Sequence, residues 1–113
     1  MTDRLTADAA LTKLAEQPGR LFTTLFRHGT LEVEVYKPDR VDCQQPHDRD
    51  EIYVVIAGTG WFVNGPTRTR FEPHEVLFAP AGVEHRFEDF SPDLATWVFF
   101  YGPRGGEAGL SAV

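Results

Sequence analysis

Two short segments carry the side chains able to do chemistry. The first is Gln45-Pro46-His47-Asp48-Arg49-Asp50-Glu51 and the second is Pro80-Ala81-Gly82-Val83-Glu84-His85. Imidazole nitrogen combined with carboxylate oxygen suits divalent first-row transition metals. In an extended chain alternate side chains share a face, so Gln45, His47, Arg49 and Glu51 have common parity. Pro46 disfavours helix at Gln45, in keeping with that extended reading. Glu51 opens an otherwise apolar strand, and an inward carboxylate is costly unless it is paired or bound to a cation. His85 follows the turn Pro80-Ala81-Gly82, which could aim it at the same interior. Two imidazoles, one carboxylate and the Gln45 amide would leave coordination positions open for water or substrate. The same residues could instead form a metal-free polar cluster, with Glu51 hydrogen-bonded to an imidazole.

The elements that must position these groups read as mostly β. Thr6 is an N-cap candidate for one short helix, with Ala7, Ala10, Leu11, Leu14 and Ala15 at helical spacing and Pro18-Gly19 as its stop. Strands are expected over 20–27, 31–36, 51–57, 61–63, 67–71, 75–79, 85–89 and 94–101. Asn64-Gly65-Pro66 is a hairpin signal. About eight short strands with regular turns predict an all-β antiparallel jelly-roll β-barrel with a short N-terminal α-helix. Leu31 to Tyr36 alternates apolar and charged residues, so Glu32 and Glu34 are expected on an outward polar face. In the strand after Glu51, Ile52, Val54 and Ile56 make a second apolar face that one short helix cannot cover, which predicts a homodimer.

The chain has 113 residues and a net charge of −6, with 42% apolar residues. That bounds it to a single domain, with a barrel core over about 20–102 and a flexible tail over 103–113. No basic block or long apolar run is present, so neither nucleic acid nor membrane is expected as a partner. The lone Cys43 and the charged N-terminus fit a reducing cytoplasm.

Motif spacing carries one further reading. His47, three residues, Glu51, six residues and Gly58 match part of the first motif of the cupin superfamily. Pro80, Gly82 and His85 match part of its second. Over about 31–101 the chain therefore resembles the cupins, small jelly-roll barrels that mostly bind one metal. Gln45 stands where the first motif has a histidine, Asp39 and His74 where the motifs have glycine, and Asp89 where the second ends in asparagine. The resemblance implies one divalent transition metal (Fe, Mn, Ni or Zn) on His47, Glu51 and His85, with Gln45 as a fourth ligand. An amide oxygen, harder than imidazole, would favour Fe(II) or Mn(II) over zinc or copper. It further implies a small-molecule ligand and either metalloenzyme chemistry of the dioxygenase, isomerase or cyclase type or, alternatively, non-catalytic binding or sensing. Tyr53, which shares the parity of Glu51, is the candidate for catalytic proton transfer. Arg49 could meet an anionic substrate. Phe78, Phe87, Trp97, Phe99 and Tyr101 are candidates for pocket wall or plain core, and Cys43 for a small buried side chain.

Overall fold

A computed structural model describes residues 4–109. Met1–Asp3 and the end of the expected tail, 110–113, lie outside the described residues. The chain begins with helix α1 (Ala7–Ala15) and continues through eight strands: β1 (Phe22–His28), β2 (Leu31–Tyr36), β3 (Asp50–Ala57), β4 (Gly60–Asn64), β5 (Thr67–Phe71), β6 (Val76–Ala79), β7 (His85–Glu88) and β8 (Ala95–Tyr101). Thr6 caps α1: its Oγ1 accepts the Ala9 N–H at 3.1 Å. At the β4–β5 hairpin Gly65 has φ 57°, and Asn64 pairs with Thr67 across a two-residue loop. That loop length matches the twist of the flanking strands.

The strands form two antiparallel sheets ordered β1-β2-β8-β3-β6 and β5-β4-β7. They pack face to face as a jelly-roll sandwich rather than the closed barrel expected from the sequence, because no strand ladder joins the two sheets among the described residues. The core lies between them, built from Tyr53, Val55 and Val98 of the larger sheet and Phe62, Phe71 and Phe87 of the smaller. Burying such side chains is worth about 1.5–3 kcal/mol each before entropy is charged. Gly58 and Gly60 let the sheets turn tightly. A Cβ on Gly58 would stand 2.6 Å from the Leu94 Cα, and one on Gly60 would stand 2.7 Å from the Phe90 Cα.

Paired residues in a ladder share a face, so the strand register fixes what points where. Glu34, Val98 and Tyr53 form one lateral row, and Glu32, Phe100 and Glu51 form the next. Val98 and Tyr53 belong to the core, so Glu32 and Glu34 face inward, opposite to the sequence expectation. The outward rows are apolar: Val33, Phe99, Ile52 and Phe78, then Val35, Trp97, Val54 and Val76. Helix α1 explains the inversion. Ala10 and Leu14 pack on Val35, with Leu25, Ile56 and Trp97 around them. The apolar side of β2 is thus covered from outside.

Candidate metal centre

The two sequence motifs meet through their backbones. The Gly82 N–H donates to the His47 carbonyl at 2.7 Å, and the buried Asp50 accepts the Ala81 N–H at 3.0 Å. Glu51 pairs with Ala79 across β3 and β6, which brings the Pro80–Gly82 turn alongside. Asp50 also accepts the Glu107 N–H at 2.8 Å, and the Gly105 N–H donates to the Asp48 carbonyl at 2.6 Å. Residues 105–107, read from the sequence as tail, are therefore hydrogen-bonded to this same loop.

Three side chains converge there. One ligand atom from each of His47, Glu51 and His85 lies within 4.8 Å of the other two. His85 Nε2 is 2.9 Å from Glu51 Oε1, and His47 Nε2 is 3.8 Å from the same oxygen. Glu51 and His85 are buried, whereas the His47 side chain is 37% exposed at the cavity side. The 2.9 Å approach is close but not aligned as a hydrogen bond, and both Glu51 Oε1 and His85 Nε2 are buried with no hydrogen-bond partner. Orphaned buried polar atoms are expensive. Two of them aimed at one point fit a cation better than they fit each other. His85 Nδ1 lies 3.0 Å from the Val83 carbonyl, an arrangement that holds Nδ1–H as donor and leaves the Nε2 lone pair facing Glu51. Burial disfavours a charged His85, but the close approach and negative charge of Glu51, together with the Val83 carbonyl, outweigh it and raise the imidazole pKa. An arriving metal would compete with that proton.

The amide beside the triad is that of Gln44. Its Oε1 lies 3.5 Å from His47 Nε2 and accepts the Tyr53 hydroxyl at 2.8 Å. Gln45 is exposed and does not line the cavity. The segment between Asp42 and Asp48 is irregular, and Arg40 just before it has φ 65°, so strand parity does not extend from Glu51 back to Gln45. Asp42 is a further residue that parity counting passed over. It is buried and accepts from the Tyr36 hydroxyl (2.6 Å), Gln44 Nε2 (2.7 Å) and the Phe87 N–H (2.8 Å). It thereby ties both sheets to the loop that carries the amide. Its one sequence signal is an acidic residue in a turn-rich stretch.

A cavity of about 600 Å³ opens onto His47 and Glu51, with His85 buried behind them. His47, Glu51, Tyr53, Gln44, Phe100 and Glu34 are among the residues lining it. Tyr53 is fully buried, and burial, then the Glu51 charge, push its phenol well above the ordinary range, so it remains a hydroxyl donor. Arg49 is half-buried on the cavity wall and is held by the Thr30 carbonyl (2.8 Å) and by Glu32 (2.9 Å), over the Phe100 ring. Cys43 also borders the cavity and is exposed rather than buried. Of the five aromatics considered for the wall, none lines the cavity: Phe87 is core, and Phe78, Trp97 and Phe99 face outward. His28 and His74 are exposed. His74 and Asp89, which stand where the motifs have glycine and asparagine, adopt left-handed φ of 73° and 46°.

No family model matches the sequence. The chain is 33% identical over 84 residues to an uncharacterized protein of Streptomyces coelicolor, a span covering 73% of this chain and 80% of that one. Among solved structures it is similar to KdgF from a Halomonas species, with TM-score 0.64 and 22% identity over 74% of this chain and 78% of the other. It is also similar to a cupin superfamily protein of Desulfitobacterium hafniense, with TM-score 0.60 and 13% identity over 72% and 75% of the two chains. A cupin-2 domain protein of Shewanella frigidimarina matches at TM-score 0.59 and 14% identity over 81% and 92%.

Proposed function

We propose that this chain, which belongs to one family with its Streptomyces relative and shares the fold of the cupin proteins it resembles, is a metal-dependent cupin enzyme acting on a small molecule in the sandwich cavity. The observation that carries this reading is the pair of buried, unpartnered atoms Glu51 Oε1 and His85 Nε2, turned toward each other beside His47. His47, Glu51 and His85 would hold one divalent transition metal (Fe, Mn, Ni or Zn), with the Gln44 amide at its edge. When bound, such a metal supplies Lewis-acid polarisation of a substrate oxygen, in chemistry of the dioxygenase, isomerase or cyclase type. The chain's own residues do the rest. Tyr53 offers a hydroxyl oriented by Gln44, Phe100 and Val98 give a water-poor floor, and Arg49, clamped by Glu32, holds the mouth.

Elemental analysis of protein purified without added metal should find close to one transition metal per chain. His85→Ala should remove it while leaving the far-ultraviolet circular dichroism unchanged. Wild-type protein that is metal-free and cannot be reloaded would overturn the proposal.

The same reading includes a homodimer. Ile52, Val54, Phe78 and Phe99 form a half-buried apolar patch next to the 65% exposed Val76, beyond the reach of α1. Patches of this kind on a sheet face mark association surfaces. Sedimentation should give a dimer that Val54→Lys dissociates without loss of metal; a monomeric wild type would refute it.

A further inference from the structure

We propose that Glu34 is the proton acceptor for hydroxyl-bearing chelating ligands that enter the cavity. The inference deepens the metal reading above and rests on it. Strands β2 and β3 flank β8, so Glu34 and Glu51 rise from strands about 10 Å apart and lean over the same floor of Val98 and Phe100. Both line the same cavity of about 600 Å³.

The two carboxylates of β2 are held very differently. Glu32 is engaged twice, by Arg27 at 2.8 Å and by Arg49 at 2.9 Å. Among the described residues, Glu34 is met by Thr24 Oγ1 at 3.5 Å, the outer limit of a hydrogen bond. The groups around it are few. Strand β1 brings Thr24 and Arg27, β2 brings Glu32 and Tyr36, and β3 brings Glu51 and Tyr53. From β8 come only the apolar Val98 and Phe100, while the loops contribute Arg20, Cys43, His47, Asp48 and Arg49. Burial, followed by the charges of Glu32 and Glu51, raises the Glu34 carboxyl to about 7. A carboxylate poised there exchanges protons readily near neutrality.

The ligand class follows from this wall. A dianion such as a phosphate ester would meet Glu34 and Glu51 as like charges. A neutral oxygen chelator that sheds one proton on binding (an α-hydroxy ketone, an enol or a hydroxamic acid) would not. In the step, the ligand O–H bond breaks and its electron pair stays on the oxygen. The proton passes to the Glu34 carboxylate, which becomes a neutral carboxylic acid. No oxidant or further reactant is needed, and charge repulsion across the cavity falls as the new oxyanion forms.

The test uses acetohydroxamic acid as the probe and zinc-loaded protein. Calorimetric titration near pH 8, in two buffers of different ionisation enthalpy, counts the protons released to solvent. Wild type should release clearly fewer protons than Glu34→Gln, which should release about one per ligand, because the neighbouring ligand oxyanion lifts the Glu34 carboxyl above the pH of the experiment. Glu34→Asp, which keeps a carboxyl, should restore the wild-type count and covers the case of a Gln variant that does not fold. In metal-free wild type, the 13C-carboxyl signal missing from Glu34→Gln should titrate well above the ordinary carboxylate range. Equal proton counts, an ordinary titration or loss of zinc from Glu34→Gln would each overturn the proposal and leave the metal reading standing. Wild type that takes no zinc would sink the metal reading and this proposal together.

Discussion

The two faces of the five-stranded sheet are made by the same strands and do opposite work. On β2 the inward residues are Glu32, Glu34 and Tyr36, and the outward ones are Val33 and Val35. On β3 Glu51 and Tyr53 point in, while Ile52 and Val54 point out. A half-buried strand ordinarily sends its charges to solvent. Here the solvent that receives them is inside the molecule, in the cavity, and the outward side of β2 is dry because α1 covers it, while the apolar patch around Val54 lies beyond the helix. Polarity therefore tracks water and ligand rather than distance from the centre of the fold.

That contrast can be broken from either side. The largest effect should come from the covered face. Val35 is fully buried against Ala10 and Leu14, and Val35→Ala should cost about 2–3 kcal/mol by denaturant unfolding while metal content is unchanged. A cost near zero would mean that α1 does not seal this face. The cavity face should respond in the opposite direction. The folded-state pKa of Glu34 lies above its unfolded value, so folded protein binds the proton more tightly. Stability from this group is then fullest at low pH and declines as pH rises from the ordinary carboxylate range through about 7. Glu34→Gln should accordingly stabilise the protein above neutrality by about 1–2 kcal/mol, a figure reduced for solvent screening of a half-buried group. The gain should vanish in acid. Melting curves at several pH values would show it, and a gain independent of pH would contradict the assignment of its source.

Much of this architecture is legible in the sequence, and the boundary of legibility has a physical origin. The Thr6 cap, the Asn64-Gly65 hairpin and the eight strands are each written in a local stretch. So are His47, Glu51 and His85, whose types and spacing reflect one small site. Which side of β2 faces in is not local: alternation gives two faces but not their partners, and only the packing of α1 decides. That Gln44 rather than Gln45 lies beside the triad is not legible for a related reason. Parity holds along a strand, and the backbone between Asp42 and Asp48 is not one. Asp42 accepts from the Phe87 N–H, forty-five residues away, and no spacing rule connects the two.

Cys43 borders the cavity, is exposed, and is the one cysteine in the sequence. The molecule thus carries a single chemically addressable handle at the doorway of its own chamber. A thiol-reactive dye placed there would sit next to Gln44, and its brightness or its rate of attachment would report the comings and goings of guests without any need to know their identity beforehand.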